Sequence, residues 1–138
     1  MKIAIINGPN LNTLGKREPA LYGETPFETF LAGLQRQYPQ HPITFFQSND
    51  EGAMVTALQQ AGKDCDAVIL NAGAYTHTSL AIADAVRSLD IPVIEVHLTH
   101  IFAREAFRHR SYLTPVCKGL IAGLGLDGYR LAVEHLIR

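Results

Sequence analysis

Apolar positions along this chain follow two rhythms. Short continuous runs occur at residues 2–6 (KIAII), 43–47 (ITFFQ), 67–70 (AVIL), 91–98 (IPVIEVHL) and 116–122 (VCKGLIA). Between them the apolar residues fall three and four apart: Phe27, Phe30, Leu31, Leu34 and Tyr38, then Met54, Val55, Leu58 and Ala61. A third such segment spans residues 80–89, and a fourth carries Tyr129, Leu131, Ala132, His135 and Leu136. Bounded runs of this length predict buried strands, and the second spacing predicts helices with one buried face. The helix ends have chemical markers. Thr25-Pro26 with Glu28 predicts a helix start with Thr25 as N-cap and a capping box, and Pro39 closes that helix. Residues 48–52 read as the turn before the next helix, Gly62 as its end, and Thr78 or Ser79 as the cap of the third.

Strands that alternate with helices predict an α/β sheet of parallel strands joined by right-handed crossovers. Five of them predict a flavodoxin-like domain, strand order 2-1-3-4-5, with helices on both faces. The length of 138 residues suits a single domain over 1–138. In such a sheet ligands bind beyond the carboxyl ends of the strands, where the strand order reverses. The polar residues gather there. Asn7 and Asn10 follow the first strand, Asn71 and His77 the third, and Glu95, His97 and Thr99 end the fourth. Residues 11–24 contain Gly15, Pro19 and Gly23 with little periodicity, and carry Lys16, Arg17, Glu18 and Tyr22. A loop of that length in a compact domain is more often functional than accidental.

Composition narrows the partners. Apolar residues make up 47% and charged residues 18%, the balance of a globular protein. The formal net charge of −1 provides no general attraction to nucleic acid or to an anionic membrane. The basic residues at 104–110 are therefore a local feature. No apolar run reaches the roughly 20 residues a membrane span needs, and Met1-Lys2 leads straight into a strand without a signal-peptide core. A soluble cytoplasmic protein is the expectation. Cys65 and Cys117 have no CxxC spacing and read as ordinary thiols, Cys117 a buried one.

The segment at residues 91–111, IPVIEVHLTHIFAREAFRHRS, carries the densest chemistry. Alternation along a strand places Val93, Glu95 and His97 on one face and Ile94, Val96 and Leu98 on the other. A carboxylate and an imidazole in a buried strand must be paired or meet a polar cavity. His77, His97 and His100 with Glu95 suggest a metal site only superficially: they share no helical face and no cysteine joins them, so no metal is expected. Asn7-Gly8-Pro9-Asn10 lacks the glycine spacing of a nucleotide loop, and its proline removes an amide donor. General acid–base work on a bound acid remains. An imidazole titrates near neutral pH. A phenol serves as a base only when a neighbouring cation favours the phenolate, which Arg17 can do for Tyr22. A non-catalytic module that binds carboxylates is the alternative on these grounds.

Five blocks of residues then carry a resemblance: Asn7-Gly8-Pro9-Asn10-Leu11-Asn12 with Arg17-Glu18-Pro19 and Tyr22-Gly23; Gln47-Ser48-Asn49 with Glu51-Gly52; residues 71–79, NAGAYTHTS; residues 91–98; and Ala103-Arg104-Glu105 with Phe107-Arg108-His109. In order and spacing the chain resembles the type II 3-dehydroquinate dehydratases. It departs from them at Thr13, Asp50, His100, Phe102 and Arg110, none a residue that family uses for chemistry. The resemblance implies a lyase without a cofactor that dehydrates 3-dehydroquinate to 3-dehydroshikimate in the shikimate pathway, by anti elimination through an enolate. It implies Tyr22 as the base, Arg17 as the group that favours its phenolate, His97 as the acid, and Asn10 as the holder of a water at the enolate oxygen. Glu95 supports Tyr22 or His97. Asn71, His77 and Arg108 bind substrate hydroxyls, and the backbone at Leu98 and Thr99 takes the carboxylate. The resemblance further implies that Asp84 reaches the site of a neighbouring subunit, in a homododecamer built as a tetramer of trimers. Arg104 and Arg110 are left as structural or interface residues.

Overall fold

Five strands form one parallel sheet in the order β2-β1-β3-β4-β5. They are β1 (Ile3–Asn7), β2 (Ile43–Gln47), β3 (Ala67–Asn71), β4 (Val93–His97) and β5 (Gly119–Ala122). The computed structural model describes residues 1–16 and 18–138, so Arg17 lies outside the described residues. Among the described residues five α-helices accompany the strands: α1 (Pro19–Tyr22), α2 (Phe27–Gln37), α3 (Glu51–Asp64), α4 (Leu80–Arg87) and α5 (Asp127–Leu136).

The alternation of side chains across each strand divides the core in two. Ile3, Ile5, Ala67, Ile69, Ile94 and Val96 face α2 and α5. Ala4, Ile6, Val68, Leu70 and Val93 face α3 and α4. Both faces of β1, β3 and β4 are covered, which is why these strands read as continuous apolar runs. The expected flavodoxin-like architecture, with helices on both faces, is the one observed.

Differences at element ends have physical causes. Pro26 stays extended and α2 starts at Phe27, with no side-chain cap from Thr25. A cap contributes about 1 kcal/mol. Burying a phenylalanine contributes about 1.5–3 kcal/mol, and Phe27 is seated between Phe45 and Tyr129 at centroid distances of 4.8 and 5.1 Å. Packing outweighs the cap. Helix α3 runs through Gly62 to Asp64, because Gly62 is where Leu89 packs closely and not a terminator: a Cβ there would meet the Leu89 side chain at 2.8 Å. On α5, Tyr129, Ala132 and Leu136 are buried as expected, but Val133 joins them and His135 is exposed. Ser79 caps α4 as expected, its hydroxyl accepting from the Ile82 amide at 2.9 Å.

β1 and β3 each extend one residue beyond their apolar runs. Asn7 and Asn71 pair in register at the carboxyl end of the sheet, and both are buried.

Candidate active site

At that end two loops lock together. The Gly8 amide donates to the Asn71 carbonyl at 2.7 Å. The approach is so close that a Cβ on Gly8 would lie 2.4 Å from the Ala72 carbonyl oxygen. Asn10 has left-handed backbone, φ 69°, and its amide donates to Asn49 Oδ1 at 3.0 Å. The loops after β1, β2 and β3 thus converge on one spot. A cavity of about 210 Å³ opens there, lined by Asn10, Tyr22, Asn71, His77, His97 and Arg108, with Leu98, Thr99 and Arg104 among the remaining walls.

The floor is an imidazole backed by a carboxylate. Glu95 is completely buried, and its Oε2 lies 2.5 Å from His97 Nε2. The same oxygen accepts the Ser111 hydroxyl at 2.9 Å, and Oε1 accepts the Thr114 hydroxyl at 2.5 Å. Burial alone raises the pKa of Glu95, but the bonds from His97, Thr114 and Ser111 outweigh it and hold the group below the ordinary carboxylate range. Ser111 is itself polarised: its oxygen accepts the amides of Leu113 and Thr114 at 3.0 and 3.1 Å. An ionised Glu95 is acceptor only, so His97 Nε2 carries a proton and Nδ1 is the ring nitrogen left for the cavity.

His77 stacks beside it, with ring centroids 6.3 Å apart and planes 21° from parallel. Its Nδ1 lies 2.7 Å from the Arg110 carbonyl, which only accepts, so Nδ1 carries the proton. Burial is the main influence that lowers the pKa of His77; the charges of His97 and Arg108 act the same way against the raising effect of that hydrogen bond. The neutral ring leaves Nε2 as an acceptor.

The phenol of Tyr22 also lines the cavity. Tyr22 ends α1, and the Arg104 guanidinium carbon lies 5.7 Å from its ring centroid. Arg104 also donates to Thr99 Oγ1 at 3.3 Å, and its side chain is only 16% exposed. To its reading as a structural or interface residue the structure adds a place in the cavity wall, with the guanidinium over the Tyr22 ring. Arg108 is steadied by Glu105 at 2.8 Å.

Of the residues expected at the site, the fold gathers Asn10, Tyr22, Asn71, His77, His97, Leu98, Thr99 and Arg108 around the cavity, with Glu95 behind His97. Asp84 is not with them. It lies on the outer face of α4, paired with Arg87 at 2.8 Å, and its side chain is 72% exposed. Ser111 and Thr114 were missed because they reach Glu95 only after the chain returns past β4. Cys117 carries no such chemistry: burial first, and then the Glu95 charge, push its thiol up to about 12. Among the described residues, no three His, Cys, Asp or Glu side chains gather as a metal site. A larger groove of about 600 Å³ lies between β2 and α3, but its charged residues are only Lys2 and Asp64 and it has no histidine. Acid–base chemistry belongs to the smaller cavity.

Comparison with known proteins gives the site its relatives. A family model described as dehydroquinase class II matches residues 1–137. A 3-dehydroquinate dehydratase of Exiguobacterium sp. is 51% identical over 138 residues, covering 99% of this chain and 94% of the relative. One from Bacillus pumilus is 49% identical over 136 residues, covering 96% and 92%. The crystal structure of a type II dehydroquinase from Butyrivibrio crossotus superposes with a TM-score of 0.96 at 43% identity, covering all of this chain and 98% of the other.

Proposed function

We propose a mechanism from one premise: this chain belongs to the class II dehydroquinase family, and its activity is that of a 3-dehydroquinate dehydratase. The observation that carries the mechanism is a phenol and a carboxylate-backed imidazole on the walls of one cavity.

The Tyr22 phenolate removes a proton from C2, next to the C3 ketone of 3-dehydroquinate. The C–H electron pair moves into an enolate. The resemblance implies Arg17 as the cation that favours this phenolate, and the Arg104 guanidinium lies over the same ring. Collapse of the enolate expels the C1 hydroxyl, which takes a proton from His97 and leaves as water. The C1–C2 double bond of 3-dehydroshikimate forms. Glu95 holds His97 by Nε2, so Nδ1–H of the imidazolium is the acid. An anti elimination needs the base and the acid on opposite faces of the substrate, and Tyr22 and His97 both line its cavity. Each such group contributes typically about 10²–10⁴-fold.

The other residues hold the substrate. Asn71, His77 and Arg108 take its hydroxyls; the free Nε2 of a neutral His77 accepts one hydroxyl proton. The backbone at Leu98 and Thr99 takes the carboxylate, and Asn10 holds a water at the enolate oxygen. No cofactor takes part. The chain is one domain over 1–138 that works in the cytoplasm, as a dodecamer in which Asp84 completes the site of the neighbouring subunit.

The test is the appearance of enone absorbance when 3-dehydroquinate is added to the purified protein. Chelator and borohydride leave the rate unchanged. Tyr22→Phe lowers kcat by at least about 10³-fold while calorimetry still detects ligand binding. A normal kcat in that variant removes Tyr22 as the base.

A further inference from the structure

Tyr129 lies in α5, outside the cavity wall, and is wholly buried. Its hydroxyl stands between the ends of two strands. It donates to Asn7 Oδ1 at 2.8 Å and accepts from Asn71 Nδ2 at 2.9 Å. Asn71 Oδ1 in turn accepts the Gly73 amide at 3.2 Å. The chain of bonds has one direction. A backbone amide only donates, so Gly73 assigns the oxygen of Asn71 to its own side. The oxygen of Asn7 takes the phenol proton, so the hydroxyl presents a lone pair to Asn71.

This settles the orientation of an amide whose two ends differ little in shape. Asn71 spends one N–H on Tyr129 and one lone pair on Gly73. One N–H and one lone pair remain, and Asn71 lines the cavity. A neighbouring donor and acceptor are what a hydroxyl recognises, since it gives one hydrogen bond and takes another. The buried Nδ2 of Asn7 has no hydrogen-bond partner among the described residues. An orphaned buried donor is a cost to folding. Asn7 is therefore poorly explained by stability alone and well explained by the oxygen it turns toward Tyr129.

We infer that Tyr129, with Asn7 behind it, is a positioning residue that fixes the amide of Asn71 for a substrate hydroxyl. The inference rests on the reading of Asn71 as a substrate ligand. Tyr129→Phe keeps the ring that packs on Phe27 and deletes only the relay. It raises KM for 3-dehydroquinate about tenfold with kcat changed less than about twofold, the pattern of lost uniform binding. In an Asn71→Ala background the same change has no further effect on KM, because the group it positions is gone.

Several results overturn it. One is a Tyr129→Phe enzyme with lower thermal stability and an unchanged KM. Another is the same tenfold loss in the Asn71→Ala background, which would mean that Tyr129 acts elsewhere. A third, available even if Tyr129→Phe does not fold, is a folded Asn7→Ala enzyme with unchanged KM. Wild-type KM and kcat in Asn71→Ala alone would instead remove Asn71 as a ligand, and the relay with it. A raised KM in Asn71→Ala with none in Tyr129→Phe removes the relay only.

Discussion

Glu95 shows how single residues set this chemistry. A buried carboxylate is tolerated because three donors meet it, and hydrogen bonds to a charged group contribute about 1.5–3 kcal/mol each. The pKa of Glu95 is lowered in the folded protein. Its contribution to stability is therefore fully present above the unfolded carboxylate pKa and is lost as pH falls through the lower folded value. Thr114→Val removes one donor, raises the folded pKa toward the ordinary value and destabilises the protein by about 1.5–3 kcal/mol at neutral pH. The difference in Tm between wild type and variant shrinks as pH drops below about 4. Thermal melts from neutral to acid pH check it, and a difference independent of pH would show that the hydroxyl does not act on the ionised form. Alternation along β4 was enough to place Glu95 beside His97. Ser111 and Thr114 lie 16 and 19 residues from Glu95, so no local pattern linked them to it.

Among the elements, the carboxyl ends of β1 and β3 decide the shape of the site. Both runs were legible as strands, but each ended one residue early, since an asparagine is a poor buried strand residue without a partner. Tyr129 supplies that partner from α5. Gly8 then permits the two loops to touch. Its constraint is space, because the neighbour is the backbone of Ala72. Gly8→Ala forces the loops apart and destabilises the fold by about 1–3 kcal/mol or more. It also lowers kcat/KM, since Asn10 and Asn71 no longer face one cavity. Denaturant melts and steady-state rates measure both effects, and a variant with native values of each would show that the loops have slack. The misplaced start of α2 teaches the same lesson. Thr25, Pro26 and Glu28 form a sound local signal, overruled by the aromatic seat of Phe27 against β2 and α5.

For the whole molecule, Asp84 is the informative residue. It lies outside the cavity lining and makes an ion pair with its helical neighbour Arg87. Exposed pairs of this type contribute little to stability. Asp84→Ala keeps Tm and sedimentation coefficient yet lowers kcat/KM about tenfold, if a carboxylate on this face completes a neighbouring site. Full activity in that variant would leave Asp84 without a role, and sedimentation of the wild type as a monomer would remove the shared site.

The roles of Tyr22, Asn71, Glu95 and His97 are those the family resemblance implies; by itself the sequence determined the layers, the strand order and the gathering of Asn71, Glu95 and His97 at strand ends. Those follow from period-two and period-3.6 patterns and from residue types crowded at strand ends, which are local or repeated along the chain. Only the tertiary structure decided that Arg104 stands over Tyr22, that Ser111 and Thr114 hold Glu95, and that Tyr129 turns the amide of Asn71. Each of these joins residues whose distance is set by how separate elements pack, and a hydrogen bond forms only within a few tenths of an ångström of its ideal length. Patterning specifies which face a side chain takes; packing specifies what it touches.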